Sequence, residues 1–339
     1  MDQSLIAVGR LDGAAATFPD ANLLSYTFVR KEAVLSSQIE GTQSSLSDLL
    51  KHELGEAPGV PLDDVSEVSR YVSAMGHGLK RLKEGFPLSN RLLREMHKIL
   101  LAEGRGAAKT PGEFRRSQNW IGGSRPGNAS FVPPPPQEID SCMGDLEKYI
   151  HSDAPTLLKA ALAHLQFETI HPFLDGNGRV GRLLITLLMC HEGLLRDPLL
   201  YCSLYFKQHR QQYYSELNAV RDSGNFARWI GFFATAIRVS AEQATLTGRR
   251  VIGVFQEDRN RLRELGRLAP SSLLVQEALQ SKPLATVTGL TKTTNLTAPT
   301  VTLSLRELER LGIVQEMTGR VRGKIYSYAR FLKALEMDV

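Results

Sequence analysis

Cysteine is scarce: Cys142, Cys190 and Cys202 are the only three in 339 residues, and no CxxC spacing occurs. That excludes a disulfide framework and a structural zinc as organising devices, and a reducing, cytoplasmic setting is the expectation. Long apolar runs are missing too. The stretch around Leu183–Cys190 is far shorter than the roughly 20 residues that cross a bilayer, so no membrane association is expected. Met1-Asp2-Gln3 carries no basic flank leading into an apolar run, so no secretory signal is read there. Neither sign of charge dominates: 41 Lys and Arg against 36 Asp and Glu leave +5, compatible with nucleic acid without demanding it. No G-x-x-x-x-G-K-[ST] exists, which excludes a P-loop, and no repeat of 20–50 residues exists, which excludes a solenoid. What remains is 42% hydrophobic and 23% charged, ordinary for a globular chain, at a length that suggests two domains.

Helical periodicity fills most of it. Leu23, Tyr26, Phe28, Val29, Ala33, Val34, Leu35 and Ile39 recur at three- and four-residue spacings and predict a helix over Asn22–Glu40, closed by Gly41. A short helix over Ser45–Leu54 and a break at Gly55–Pro61 follow. Two amphipathic helices then cover Asp63–Glu84 and Ser89–Leu101, the second capped by Ser89 or Asn90. Residues 104–136 change character, with Gly, Pro, Ser and Arg in excess. Asn119–Ile121 and Ser130–Val132 read as strands of a hairpin around a glycine-bearing loop, and Pro133–Pro136 as extended polyproline II. Further helices are expected at Glu138–His151, Pro155–Ile170, Arg179–Cys190, Leu204–Asp222, Phe226–Leu246 and Val254–Leu265. After Leu268 three short helices (Ser271–Gln280, Leu284–Gly289, Pro299–Leu311) precede Gly312-Ile313-Val314, a Gly319–Gly323 loop and a strand-like Lys324–Tyr328. That order is a winged helix-turn-helix pattern.

The chemistry concentrates in His171-Pro172-Phe173-Leu174-Asp175-Gly176-Asn177-Gly178-Arg179-Val180-Gly181-Arg182. Gly176 and Gly178 let the backbone turn tightly and bring its N–H groups to a ligand, while the helix starting near Gly178 presents a positive end to phosphate. Arg179 and Arg182, three apart on the first turn, can clamp further phosphate oxygens. Asp175 is a hard oxygen ligand suited to Mg²⁺, and His171 has the near-neutral pKa that a general base needs. Gly176 to Gly181 also satisfies G-x-G-x-x-G, but that fingerprint needs a preceding strand, and the preceding pattern is helical. A transition-metal site on His171 and Asp175 lacks further His or Cys partners. His97 and His164 read as capping or core residues.

These residues match H-P-F-x-D/E-G-N-G-R-x-x-R at every fixed position, and the chain thereby resembles Fic-domain proteins. Gly112-Glu113-Phe114-Arg115, Gln118 to Gly123 and Phe131 to Pro135 resemble that family's flap and its approach. Tyr205-Phe206-Lys207 and Tyr213-Tyr214 resemble the helix closing its adenosine pocket. The resemblance covers roughly residues 90–240. It implies transfer of AMP from ATP to a Ser, Thr or Tyr hydroxyl of a protein, the chain itself included. In that scheme His171 takes the hydroxyl proton and Asp175 holds Mg²⁺. Asn177 and the N–H groups of Gly176 and Gly178 steady the α-phosphate. Arg179 and Arg182 hold the outer phosphates, and Val180 and Gly181 complete the nucleotide segment with Tyr213 and Tyr214. Phe173 anchors the loop in the core, and Ile121, Gly122, Gly123 and Ser124 pin the target by strand-like pairing.

Ser36-Ser37-Gln38-Ile39-Glu40-Gly41 matches the family's inhibitory pattern [S/T]-x-x-x-E-[G/N]. It implies that Glu40 pairs with Arg182 and withholds it from the γ-phosphate, with Ser36 one turn earlier in the same arrangement. The expected fold is mainly α: a Fic-type helical bundle with a short β-hairpin flap and a C-terminal winged helix-turn-helix domain. The expected boundaries are 1–88, 89–237, linker helices 238–268, and 269–339. Residues 271–339 hold nine Lys and Arg against six Asp and Glu, so that last domain suits DNA or protein contact alike. Arg320, Arg322 and Lys324 lie at its wing tip. A DNA-binding regulator that senses nucleotide and a de-adenylylating enzyme are the alternative functions, and a homodimer is compatible with all three.

Overall fold

The computed structural model describes residues 1–16, 21–57 and 59–337. Pro58, within the expected break, lies outside them. The chain folds as two compact units. One holds Met1–Gly13, Thr27–Leu49 and Pro58–Glu242, and the other holds Ala14–Tyr26, Leu50–Ala57 and Gln243–Val339.

The first unit holds all or most of α1 (Asp2–Ala15), α2 (Ala21–Ile39), α4 (Leu62–Lys83), α5 (Asn90–Leu100), α6 (Ile139–Ile150), α7 (Thr156–Ile170), α8 (Asn177–His191), α9 (Ser203–Gln208) and α10 (Arg210–Ser223). It also holds the first half of α3 (Leu46–Glu53) and the start of α11 (Phe226–Arg263). α7 and α8 pack against each other at its centre, because both are apolar nearly all round, the signature of a helix with no solvent face. Leu183 to Met189 of α8 are buried without a gap. Emptying one such position, Leu184→Ala for example, would cost about 2–5 kcal/mol. Ser89 caps α5 as expected, accepting from Leu92 N. The helices up to Lys83 form no unit of their own, because α4 lies against both α5 and α8.

Several boundaries differ from the sequence reading. Leu204–Asp222 is two helices broken at His209, whose ring Nδ1 lies 3.1 Å from the Tyr205 carbonyl and competes with the ladder there. Phe226–Leu246 and Val254–Leu265 are one 38-residue helix, α11, since Gly248 and Gly253 weaken a helix without breaking it. The flap is not a two-stranded hairpin: a single bridge, Ile121 to Phe131, holds it, and its loop carries a 3₁₀ turn at Pro126–Asn128. Pro136 is not extended but opens a 3₁₀ turn, Pro136–Glu138.

The second unit runs α12 (Ala269–Ser281), β1 (Leu284–Thr286), α13 (Val287–Thr294), α14 (Ala298–Arg310), β2 (Gln315–Glu316), β3 (Ile325–Ser327) and α15 (Ala329–Glu336). Its sheet is antiparallel in the order β1-β3-β2, with Leu284 opposite Ser327 and Gln315 opposite the same residue. Leu284–Gly289 is therefore strand before helix. Thr286 ends the strand and caps α13 by accepting from Gly289 N. The sheet has three strands where two were expected, and α15 was not foreseen.

Candidate active site

Between α7 and α8 the chain turns back within a short loop, and each bend has an identifiable cause. His171 ends α7 in the left-handed conformation at φ 49°, and Gly176 precedes α8 at φ 77°. Asn177 closes the loop on itself: Phe173 N donates to its Oδ1 and its Nδ2 donates to Phe173 O, both at 2.8 Å. Phe173 is fully buried and stacks on His97 with ring centroids 3.7 Å apart. The N–H groups of the first turn of α8 have no acceptor within the helix and remain for a ligand.

His97 and His164 are buried, as expected of core residues, yet they hold the loop from both ends. Gly112 N donates to His97 Nδ1, so His97 Nε2 carries the proton and donates to the Asp175 carbonyl at 3.0 Å. By the same logic His164 Nδ1 donates to the Gly181 carbonyl, and its Nε2 accepts from the Tyr213 hydroxyl. Burial pushes His97 down to about 4 and His164 to about 3, so both stay neutral and keep these tautomers. Arg115 binds four backbone carbonyls, those of His171, Ser117, Pro134 and Ile170, and its own N–H reaches Pro172 O. It ties the approach to the flap directly onto the loop.

Two cavities meet here. One, of about 280 Å³, is lined by Ile121, Glu168, Tyr213, Tyr214 and Arg221 among others. The second, of about 320 Å³, is lined by Glu67, Arg105, Asp175, Asn177 and Arg179 among others. Glu40, His171 and Gly178 belong to both and mark the junction. Among the described residues His171 Nδ1 finds no hydrogen-bond partner. Burial, helped by the Arg221 and Arg115 charges, pushes the His171 ring down to about 4 against the opposing pull of the Glu168 carbonyl. The ring is thus neutral at pH 7.

Arg182, 1% exposed, is held by α2. Its Nε donates to Ser36 Oγ at 2.7 Å, its Nη2 to Ser36 O at 3.0 Å and to Glu40 Oε1 at 2.6 Å. Desolvation raises the Glu40 carboxyl, but the charge and hydrogen bond of Arg182 outweigh it and leave the pKa below the usual value. A Cβ on Gly178 would strike that Glu40 oxygen, so the carboxylate lies directly on the glycine backbone. The pairing of Glu40 and Ser36 with Arg182 was expected from sequence.

Other expected residues are placed differently. Val180 and Gly181 are buried and line neither cavity; Gly181 lies against Glu168 and His164, and a Cβ there would press on a Glu168 carboxylate oxygen. The Asn177 amide is used on the loop backbone through its Oδ1 and one N–H of its Nδ2, which leaves the second N–H for the expected contact with a phosphate. Arg179 turns away from Arg182 to Glu67, at 2.6 Å. Ile121 borders the first cavity, while Gly122 and Gly123 adopt φ of 70° and 67° in the exposed flap loop with Ser124. Arg320, in the second unit, is paired with Glu56 at 2.9 Å and is not free at the wing tip. Sequence reasoning missed Glu67, Arg105, Glu168 and Arg221. Glu168 is buried with Oε1 unpartnered among the described residues, and burial raises its carboxyl to about 7. Arg221 donates to the Glu168 carbonyl and sits over the Phe131 ring at 4.1 Å, supporting the flap. No periodic or motif signal marks these four.

Asp175 fits a magnesium ion that arrives with phosphates. Its carboxylate is 40% exposed toward the second cavity, with Oδ1 accepting from Gly176 N. Among the described residues no three His, Cys, Asp or Glu could hold a metal by themselves. Among the described residues no helix is long and apolar enough to cross a membrane.

Residues 1–80 match the Fic/DOC family N-terminal model and residues 87–189 the Fic/DOC family model. A protein named protein adenylyltransferase Fic from Aedes aegypti is 37% identical over 127 residues, 36% of this chain and 23% of the relative. One of the same name from Culex quinquefasciatus is 31% identical over 205 residues, 58% of this chain and 37% of the relative. The chain thus spans well under half the length of these curated relatives. In fold it resembles a Fic family protein from Desulfovibrio desulfuricans G20, at TM-score 0.59 and 17% identity over 97% of this chain and 96% of that one. It also resembles Fic-1 from C. elegans, at TM-score 0.54 and 23% identity over 72% and 71%.

Proposed function

The chain belongs to the Fic/DOC family, and on that premise we propose that it is an ATP-dependent protein adenylyltransferase, autoinhibited in cis by Glu40. The observation that carries the reading is the junction of the two cavities, where a neutral His171 stands beside the α8 N-terminus and a carboxylate occupies Arg182. The nucleoside belongs against Tyr213 and Tyr214 in the first cavity, and the triphosphate at the α8 N-terminus, between Asp175 and Arg179 in the second cavity and Arg182 at the wall of the first. The α-phosphate then lies at the junction, on the backbone of Gly176 and Gly178.

In the proposed reaction a Ser, Thr or Tyr hydroxyl of a protein attacks the α-phosphorus. His171 accepts its proton, the new O–P bond forms, and the bond to the β-phosphate breaks to release pyrophosphate. A buried neutral ring is ready to accept that proton, and the nearby anionic phosphates would raise its basicity from about 4. Bound at Asp175, Mg²⁺ would supply charge neutralisation for the α- and β-phosphates. Arg182 would hold the γ-phosphate once Glu40 releases it, which aligns the leaving group for in-line attack. The flap would accept the target as an added strand at Ile121 to Ser124, a mode that reads backbone more than sequence.

An intact His171, with its Nδ1 free of a partner among the described residues, favours transfer over nucleotide sensing, which needs no base. With Glu40 held at the junction, removal of AMP by an oriented water is the companion reading. DNA contact by residues 269–339 as a winged helix, in a cytoplasmic protein, is part of the proposal. Neutralising Arg320, Arg322 and Lys324 should flatten the salt dependence of binding to mixed duplex by up to about three phosphate equivalents. The central test is label from α-labelled ATP with Mg²⁺ on the chain itself. Glu40→Gly should incorporate well above wild type and Glu40→Asp less so, while Glu40→Gly with Arg182→Ala should return to background. Equal labelling of wild type and Glu40→Gly refutes the inhibitory role, and no labelling of any variant refutes transfer.

A further inference from the structure

Both arginines of the motif are held by carboxylates from the N-terminal helices, although the sequence pattern marks only one of those acids. Arg182 is held by Glu40, at the end of α2. Arg179 is held by Glu67, in the second turn of α4, at 2.6 Å between Nη1 and Oε1, with both side chains buried. The two contacts differ in quality. Arg182 donates three well-formed hydrogen bonds. Arg179 Nε and Nη1 are buried and, among the described residues, without a hydrogen-bond partner, so its grip on Glu67 is charge without directed bonding. Asp175, at 3.6 Å from Nη2, adds charge but no bond. A guanidinium in that condition gains directed bonding by turning to phosphate oxygens.

The other half of the exchange is prepared as well. Glu67 Oε2 accepts from Arg105 Nη2 at 3.1 Å, and Arg105 also reaches Asp64 Oδ1, one turn earlier on α4, at 3.3 Å. Arg105 is largely exposed at the cavity mouth and follows Gly104, at φ 79°. When Arg179 leaves, Glu67 keeps a cation, so no buried charge is orphaned. Removing one partner of a buried pair is costly mainly where the other is left alone.

We infer that Glu67 is a second carboxylate competing with the triphosphate of ATP for Arg179, and that Arg105 takes over Glu67 when the nucleotide enters. The inference rests on the proposed triphosphate site but not on transfer itself. It makes the N-terminal helices a double lock, one acid for each arginine.

The probe is α,β-methylene-ATP with Mg²⁺, titrated by calorimetry into the full chain as wild type, Glu67→Gln, Arg105→Ala and the double variant. Glu67→Gln keeps the shape and can still bond Arg105, and it should tighten binding about tenfold, the scale of one charge-assisted contact regained. Arg105→Ala should weaken binding in the wild-type background, because Glu67 then clings to Arg179, and should change little in the Glu67→Gln background. Weaker or unchanged binding by Glu67→Gln overturns the inference and makes Glu67 a positioning residue for Arg179. Equal weakening by Arg105→Ala in both backgrounds also overturns it, since Arg105 would then hold phosphate itself. Thermal unfolding of each variant separates misfolding from these outcomes, and should Glu67→Gln unfold, unchanged or tighter binding by Arg105→Ala, at an exposed site, still overturns the inference. Should Glu40→Gly show no label while these affinities shift as stated, the transfer reading fails and the double lock stands.

Discussion

The loop His171–Arg182 and the flap Asn119–Phe131 face the same cavity and are built in opposite ways. The loop's backbone is fixed by side chains: Asn177 closes it, and His97, His164 and Arg115 bind its carbonyls. At its start Asn119 Nδ2 donates to Phe173 O, and beyond that the flap is held by one bridge, an Asn128 side chain that gathers the N–H groups of Ser124 and Arg125, and an arginine against Phe131. A phosphate-bearing substrate has one shape, and preorganised donors act on it at no cost of rearrangement. A protein segment has many shapes, and exposed backbone can pair with any of them. On the proposed reading, rigidity marks the side that would meet the constant ligand.

The largest expected effect comes from the rigid side. His171→Ala should lower transfer about 10²–10⁴-fold while leaving ATP affinity within a few-fold, measured by labelling rate and calorimetry in a Glu40→Gly background. Loss of binding in step with rate would place His171 among the phosphate contacts and erase the division of labour. The pH profile sharpens the same point. The ring is held down to about 4, so it is neutral above that value and protonated only below it. The acid limb of kcat/KM should therefore fall well below the usual histidine range near pH 6.5, and a limb at about 6.5 would mean an exposed ring.

Asn177→Ala removes two buried hydrogen bonds and leaves Phe173 N unpaired. It should cost about 1–3 kcal/mol of stability, read by denaturant unfolding, with a clear drop in transfer. The flap should respond less and elsewhere. At Gly123 a Cβ would collide with the Asn128 carbonyl at a positive φ, so Gly123→Ala must distort the turn. We expect a few-fold rise in KM for a protein target, with ATP affinity and melting temperature nearly unchanged. A large loss of stability would show the flap to be as built-in as the loop. Smallest of all, Phe131→Leu removes the ring over Arg221 and should cost about 0.5–1 kcal/mol at most, read by the same denaturant unfolding.

The amino-acid sequence by itself determined the helices α4 to α8 to within a few positions, the loop between α7 and α8, and its glycines, while the Glu40 pairing with Arg182 was foreseen only through the family resemblance. Those features rest on local rules: apolar periodicity, caps, glycine at positive φ, and a motif whose spacing is its geometry. Tertiary structure alone decided the rest. Leu284–Thr286 became a strand because β3 lay beside it, and so short a run of apolar and small residues has no period to announce that. α11 stayed whole because packing overrides two glycines. Arg179 met Glu67 and not a free cavity, and His97 and His164 became the loop's fastenings, through partners distant in the chain. A charge pair across such a separation leaves no trace in spacing, since it depends only on which faces of two helices come to lie against each other.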